Sequence, residues 1–401
     1  MRIALNKHTP TRRRNSRTNF LVIVLFESIN QMKSSAQAAR WNGMDFARAV
    51  LMILGLFFHA GSFYGTGNDW LIISDETTPI VNGFNFLIHS FRMEAFYLIA
   101  GFFFALVMEK QRPNFLRDRL VRIAVPLFVC GALINPVMHY SVYGYDYIIA
   151  KDYFIKGEWL SHLWFLGNLI IYILISIPIC RHIRKNVRMT RTQLFVTVTF
   201  ITPFVAAGLN FIANRIFPEK FLFIAPESIF DYLPYYCLGM ICFYNRAEFT
   251  KLLSMQSFAI ALVIAAAMIA TREVLSIYGL TFISKVIYAL LRGPMILLTL
   301  SFLIVMGNRE SKIVRSFSDS SYTIYLFHLP IFVLLYKTIF QHTHLGALPE
   351  YALLIVITYA LCYAIHIFAI KQSKLLSLAF NGKPFSLKDY SLLGRKLRSD
   401  G

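Results

Sequence analysis

An arginine and a histidine on one face of the first apolar segment are the residues best placed to do chemistry in this sequence. Arg48 and His59 are eleven positions apart, so their side chains fall about 20° apart around a helix. The rise of about 1.5 Å per residue separates them by roughly 16 Å along the axis. This face could hold a phosphate-bearing donor at Arg48 and present the donor's far end near His59.

Each of these residues also has an ordinary structural explanation. Asp45 and Arg48 are three positions apart and could form an ion pair at the membrane surface. A single histidine in an apolar helix often provides only a hydrogen bond to a neighbouring helix. The pair on one face is therefore more informative than either residue by itself.

Further polar residues interrupt or flank the second segment. The run His89-Ser90-Phe91-Arg92-Met93-Glu94 predicts that His89 and Arg92 share a helix face. A charged arginine in an apolar helix needs either an ion pair with another helix or a polar ligand. After this segment, Arg119 and Arg122 are one helical turn apart and suit bidentate phosphate contacts, although membrane-surface anchoring also explains them.

Later segments carry three more polar motifs. Trp164 follows Ser161-His162-Leu163 and is typical of an aromatic residue at a membrane interface. Tyr325 and His328 share a face in the ninth segment. Arg292 precedes Gly293-Pro294, which predicts a kinked helix whose freed carbonyl meets the guanidinium. The five cysteines match no metal or redox spacing, and we expect no metal site.

The composition requires a membrane around these motifs. Apolar residues make up 57% of the 401 residues and charged residues 15%, against about 45–50% and roughly 25% in soluble domains. Ten apolar segments are present, most of them near the length of about 20 residues that a spanning helix needs. They are residues 46–64, 84–108, 122–139, 160–180, 193–215, 231–245, 256–271, 284–306, 321–341 and 351–370. We therefore predict an all-α polytopic transmembrane helix bundle of about ten spans.

The distribution of basic residues predicts the orientation. With the amino terminus inside, 31 Lys and Arg residues fall on inner segments and 6 on outer ones. This asymmetry follows the positive-inside rule, so we expect both termini in the cytoplasm and the net charge of +19 to face the inner leaflet. The expected partner of this charge is the lipid bilayer, and no nucleic acid.

The chain divides into three predicted regions. Residues 1–40 are predicted to form a basic cytoplasmic N-terminal extension, and Met32 or Met44 could serve equally well as a later start. Residues 41–371 contain all ten apolar segments and form the membrane domain. Residues 372–401 form a basic cytoplasmic tail.

The spaced motifs resemble the acyltransferase-3 family of integral membrane acyltransferases. The resemblance rests on Arg48-x10-His59, Arg119-x-x-Arg122, Leu163-Trp164-Phe165-Leu166 and Ser321-Tyr322…Tyr325…His328-Leu329-Pro330, and it covers about residues 40–371. Short runs such as His89-Ser90-Phe91-Arg92-Met93 are similar to the branch that succinylates periplasmic glucans. In place of a neutral residue expected in that branch, this chain has Glu94.

The resemblance implies an activity and a set of site residues. It implies transfer of an acyl group from cytoplasmic acyl-CoA (succinyl-CoA or acetyl-CoA) to a sugar hydroxyl of a periplasmic or cell-envelope glycan. His59 would be the general base or a transient acyl carrier, with Arg48 also catalytic. Arg119 and Arg122, with Arg48, would bind the CoA phosphates. The substrate-binding residues would be His89, Arg92, Trp164, Tyr325 and His328.

The same resemblance implies a bacterial inner (cytoplasmic) membrane location. Partners would be acyl-CoA, the glycan acceptor and other envelope glycan biosynthesis proteins. Two alternatives stay open. A secondary transporter of a glycan precursor would move substrate without consuming acyl-CoA. A non-catalytic assembly partner would tolerate His59→Ala without loss of function.

Overall fold

Helices make up almost all of the described chain. The computed structural model describes residues 43–383, apart from 68–69, 111–112, 218, 220, 223 and 308–311. The predicted N-terminal extension and most of the tail therefore lie outside the described residues. Within the described ranges there is no β-strand, and one isolated bridge joins Phe221 and Ile224. The predicted all-α class is confirmed.

The helices follow one another with short connections. In chain order they are α1 (Gly43–Tyr64), α2 (Pro79–His89), α3 (Arg92–Glu109), α4 (Phe115–Val129), α5 (Asn135–Tyr143), α6 (Tyr145–Ile149), α7 (Lys151–Ile155), α8 (Trp164–Asn186), α9 (Arg191–Val196), α10 (Thr202–Ile216), α11 (Pro226–Tyr244), α12 (Arg246–Leu252), α13 (Met255–Ile277), α14 (Thr281–Met306), α15 (Lys312–Thr338), α16 (Ala347–Ala364) and α17 (Lys374–Asn381).

Nine stretches of the described chain are long and apolar enough to cross a membrane. They correspond to nine of the ten predicted segments, and the protein is a multi-pass membrane protein. The tenth predicted segment lies in α11, which is less apolar because it carries Glu227, Asp231 and several tyrosines. Its 19 residues still extend about 28 Å, close to the thickness of a hydrocarbon core.

Helix α11 packs closely against α3 at the centre of the bundle. A Cβ on Gly101 would collide with the carbonyl oxygen of Tyr236, and one on Gly239 would collide with that of Leu98. Small residues permit this approach because helices in lipid associate through tight backbone packing. The contact fixes α3 and α11, which carry Arg92, Glu94 and Asp231.

Two interruptions of helical geometry lie beside the candidate site. Helix α2 ends at His89 and α3 begins at Arg92, so the expected shared face of these two residues was wrong. Before α8, a 3₁₀ turn spans Glu158–Leu163, and Ser161 within it adopts φ 45° and ψ −123°. A non-glycine residue in such a conformation is strained. This turn delivers His162 and Trp164 to the interior.

The buried apolar residues form two clusters that meet at α1 and α15. The larger cluster includes Leu51 and Leu326, and the smaller one includes Leu56, Leu329 and Phe332. Because α1 and α15 contribute to both clusters, their middle turns lie at the boundary. The candidate site occupies this boundary.

Candidate active site

A small cavity lies between α1, α3, α8 and α15. Its volume is about 30 Å³, enough for one or two water molecules. A cavity of this size is not a preformed cleft for a large substrate. Its lining contains five of the predicted site residues, the complete set being Leu51, Met52, Gly55, His59, Arg92, Met93, Phe96, His162, Trp164, Phe165, Tyr325 and His328.

His59 is held in the cavity wall by aromatic contacts. Its ring stacks on Trp70 with centroids 5.3 Å apart, and the ring of His328 lies 5.1 Å away. The buried Nδ1 of His59 has no hydrogen-bond partner in the part of the chain that the structure describes. A buried polar atom without a partner is costly, so this nitrogen is available to a ligand that brings a hydroxyl or another polar group.

Two further histidines present unprotonated nitrogens to the same region. Nδ1 of His328 lies 2.8 Å from the carbonyl oxygen of Tyr325, and a carbonyl can only accept, so Nδ1–H donates. Its buried Nε2 therefore carries a lone pair and has no partner. In His162 the two ring nitrogens have exchanged roles. Its Nε2–H donates to the carbonyl oxygen of Leu326 at 3.3 Å, and the lone pair on Nδ1 has no partner among the described residues.

The three imidazoles are close neighbours. The ring centroids of His162 and His328 are 5.1 Å apart, as are those of His59 and His328. No group of three metal-ligating side chains is arranged to hold an ion within the described part of the chain. The arrangement can accept protons or hydrogen bonds from a substrate.

Arg92 supplies the positive charge of the cavity. As the first residue of α3, it reaches towards α1, where a Cβ on Gly55 would lie 2.8 Å from its Nη1. Its guanidinium carbon lies 4.9 Å from the ring centroid of Phe58. No carboxylate forms an ion pair with Arg92 among the described residues. A cation in an apolar bundle without a protein anion marks a place where an anion or a developing oxyanion can bind.

Arg292 has the opposite surroundings. Its Nε lies 3.2 Å from Glu94 Oε1, and its Nη1 lies 2.7 and 2.8 Å from the two oxygens of Asp231. The expected contact with a freed carbonyl at the Pro294 kink was therefore wrong. The acidic Glu94 serves this ion pair, two residues along α3 from Arg92.

Trp164 and Tyr325 frame the cavity from α8 and α15. Trp164 is half-buried, and its ring stacks on Tyr232 with centroids 5.6 Å apart. The Tyr325 hydroxyl donates to the carbonyl oxygen of His162 at 2.8 Å. Both rings therefore help to fix the segment that positions His162.

His89 is the predicted substrate residue that the structure does not place in the cavity. It is exposed at the end of α2, and its ring centroid lies 5.5 Å from that of Phe58. Phe58 also contacts the guanidinium of Arg92. His89 is therefore a neighbour of the site through Phe58 and does not line it.

The predicted donor-binding arginines gather at one end of α1, α3 and α4. Arg48 pairs with Asp45 at 3.1 Å, which forms the expected surface ion pair, and its guanidinium carbon lies 5.7 Å from the Phe103 ring. Arg119 donates to the Phe103 carbonyl at 2.7 Å. Arg122 is exposed and close enough for its charge to act on the other two. Three cations on one surface suit a polyanionic ligand.

Two aromatic side chains that pack against His59 or His328, those of Trp70 and His162, were not predicted as site residues from the sequence. His162 lies two residues before Trp164 in the same sequence motif. This proximity to a predicted site residue could have identified it. Trp70 belongs to a connecting loop, and nothing in its sequence neighbourhood indicates that its ring stacks on His59.

Comparison with known proteins gives consistent matches. Residues 41–367 match the family described as an acyltransferase domain. Glucans biosynthesis protein C from Escherichia coli strain K12 is 28% identical to this chain, across 85% of this chain and 94% of its own length. The protein of the same name from Escherichia coli O1:K1 matches with the same identity and coverage. No matching solved structure was found.

Proposed function

The chain belongs to the acyltransferase-3 family, and from that premise we propose that it acylates an envelope glycan from within the bacterial inner membrane. The donor is cytoplasmic acyl-CoA carrying a succinyl or acetyl group, and the acceptor is a sugar hydroxyl on the outer side. The name of the E. coli relatives, glucans biosynthesis protein C, supports a glucan as the acceptor. The observation that carries the proposal is a cavity where unpartnered histidine nitrogens adjoin an arginine without a carboxylate.

Residues of the cavity can perform each proton transfer and charge stabilisation that the proposed reaction requires. The acceptor hydroxyl attacks the thioester carbonyl while His59 takes its proton, and the proton then passes to the departing CoA thiolate as the C–S bond breaks. Arg92 offsets the negative charge on the carbonyl oxygen during the attack. Alternatively, His59 carries the acyl group transiently before the hydroxyl attacks.

The arginine group supplies the donor site in this proposal. Arg48, Arg119 and Arg122 bind the phosphates of CoA, and Arg48 is eleven residues from His59 on the same helix. The corresponding axial distance of roughly 16 Å matches an extended pantetheine arm. Donor binding at one end of α1 can thus present the acyl group to His59 nearer the other end.

The remaining cavity residues orient the acceptor and the acyl group. Tyr325 and His328 offer a hydroxyl and a lone pair, and Trp164 offers an apolar ring. His89 lies beside Phe58 at the edge of the site, where it can contact the part of the substrate outside the cavity. Other envelope glycan biosynthesis proteins are the expected partners that deliver the acceptor.

Mass spectrometry of cell-envelope glycans tests the function. We expect a succinyl or acetyl mass on the glycan in cells with the protein, and its loss in cells that lack the protein or carry His59→Ala. Glycans transported but never acylated would favour the transporter alternative. Acylation that survives His59→Ala would favour a non-catalytic assembly role.

Reporter fusions test the orientation that the proposal needs. The 31-to-6 asymmetry of basic residues predicts an external reporter at Ala347 and a cytoplasmic one after Gly401. This arrangement places the arginine group on the side where acyl-CoA is available. The reverse pattern would contradict donor binding by Arg48, Arg119 and Arg122.

A further inference from the structure

We propose that a tyrosine-rich surface at the other end of the α4–α5 span from the arginine group binds the sugar chain of the acceptor. The surface consists of Tyr143, Tyr147 and Glu158, which rest on the buried His139 and Tyr153, and the five residues together are called the tyrosine surface below. The inference rests on the proposed function, because it assigns the acceptor to a place on this chain. In the stretch Phe115–Tyr143, Arg119 and Arg122 lie near the beginning and Tyr143 is the last residue. The tyrosine surface and these two arginines are therefore at opposite ends of the span.

The rings of the tyrosine surface pack against one another. The centroids of Tyr143 and Tyr147 are 4.5 Å apart, and those of Tyr147 and Tyr153 are 5.7 Å apart. Beneath them, Nδ1 of the buried His139 lies 3.0 Å from the Tyr153 hydroxyl. Mutual packing and a buried hydrogen bond hold the rings in place before any ligand arrives.

The outer side of this cluster is exposed and combines apolar rings with acceptors. Tyr143 is 46% exposed, and the adjacent Tyr140 and Tyr145 are 57% and 65% exposed. The Tyr147 hydroxyl donates to the exposed carboxylate of Glu158 at 3.3 Å. A pyranose has apolar C–H faces and a rim of hydroxyls, so tyrosine rings and a carboxylate suit it.

The tyrosine surface is connected to the cavity. The Asn135 side chain donates to the carbonyls of Trp159 and Leu160 at 2.8 and 3.0 Å, which holds α5 against the strained turn. That turn runs from Glu158, on the tyrosine surface, to His162, in the cavity lining. A sugar chain on this surface can therefore extend one hydroxyl towards the cavity.

Tyrosines at a membrane interface are common, and this is the main alternative explanation. An interfacial tyrosine needs only lipid on one side and water on the other. The tyrosines here instead pack around a buried histidine and include one hydrogen-bonded to a carboxylate. Tyr278, which follows α13 on the same predicted side, is 77% exposed and belongs to no such cluster. It provides a matched control.

Saturation-transfer NMR with a linear β-glucan hexasaccharide tests the inference on the full chain in nanodiscs. We expect transfer to the sugar from the wild-type protein and from Tyr278→Ala, and weakening of about five- to tenfold in Tyr143→Ala, the size of one aromatic contact. Glu158→Gln removes one acceptor charge without removing bulk, and should also weaken binding. Tyr143, Glu158 and Tyr278 are all exposed, so we expect the three variants to keep the wild-type fold.

Kinetics separate this inference from the function on which it rests. Tyr143→Ala should raise KM for the glycan about five- to tenfold and leave KM for acyl-CoA unchanged. Equal binding by wild type, Tyr143→Ala and Tyr278→Ala, or none by wild type, would overturn the tyrosine surface while acyl transfer could stand. Sugar binding that depends on Tyr143 in a protein without acyl transfer would overturn only the proposed function.

Discussion

The cavity around His59 and the ion cluster around Arg292 lie side by side and differ in how their charged groups are paired. Helix α3 supplies both, with Arg92 in the cavity and Glu94 in the cluster. Arg292 forms ion pairs with Glu94 and Asp231, although both Glu94 oxygens lack a hydrogen bond. Among the described residues, one ring nitrogen each of His59, His162 and His328 has neither a hydrogen bond nor an ion pair. Paired charges hold helices together, and unpartnered polar atoms in the same bundle mark the place for a ligand.

The difference follows from the cost of a charge in an apolar medium. A carboxylate or guanidinium removed from water needs a partner of opposite charge, and losing one partner leaves the other uncompensated. We therefore predict that substitutions in the ion cluster lower the stability of the folded protein. Substitutions in the cavity should instead lower the rate of acyl transfer and leave stability unchanged.

The largest effect is expected from Arg292→Gln. It leaves Glu94 and Asp231 as uncompensated buried carboxylates, which should destabilise the protein by about 3–5 kcal/mol. Thermal unfolding followed by fluorescence size-exclusion chromatography measures the loss. Arg92→Gln is the control and should keep the wild-type midpoint, because Arg92 forms no ion pair with a carboxylate of the described residues. Equal destabilisation by both variants would contradict the proposed difference between the ion cluster and the cavity.

His59→Gln should abolish most activity in a folded protein. Glutamine keeps polarity and approximate size but cannot take a proton, so the transfer rate should fall about 10²–10⁴-fold. The control is His366→Gln, since His366 Nδ1 lies 2.8 Å from Thr323 Oγ1 as an ordinary buried hydrogen bond. Such bonds average about 0.6 kcal/mol in membrane proteins. Substantial activity in His59→Gln would remove His59 from the mechanism.

Gly55→Ala tests whether the position of the Arg92 guanidinium matters. The added methyl would crowd Nη1 of Arg92 without changing any charge. Losing a hydrogen bond to a charged group costs about 1.5–3 kcal/mol, so kcat/KM should fall roughly 10- to 150-fold. Gly208→Ala is the matched control, because a Cβ at Gly208 meets nothing within 4 Å. Similar kinetics for the two alanine variants would argue against a placed guanidinium.

Arg122→Ala should have the smallest effect and act on the donor. An exposed ionic contact contributes about 0.2–1 kcal/mol, so KM for acyl-CoA should rise roughly two- to fivefold with kcat little changed. Arg122→Lys should recover only part of this, because lysine lacks the bidentate fork. Arg188→Ala removes another exposed arginine and should change neither parameter. Complete recovery with lysine would speak against geometric phosphate binding.

The sequence determined the fold class of the protein and identified several of the polar residues that line the cavity. Its apolar content and segment lengths require a helical membrane bundle, because unpaired backbone groups cannot remain in lipid. The eleven-residue spacing placed Arg48 and His59 on one stripe of α1, since helix geometry is local. Motif resemblance added Arg92, Trp164, Tyr325 and His328, and these do line the cavity with His59.

Only the tertiary structure decided which polar residues form ion pairs between helices and which face the cavity. Arg92 and Arg292 look alike in sequence, as single arginines in apolar segments. The close approach of α3 and α11 at Gly101 and Gly239 brings Glu94 and Asp231 to Arg292. The break before Arg92 turns that residue towards Gly55 and separates it from His89. Pairing depends on contacts between helices distant in sequence, and no local periodicity encodes them.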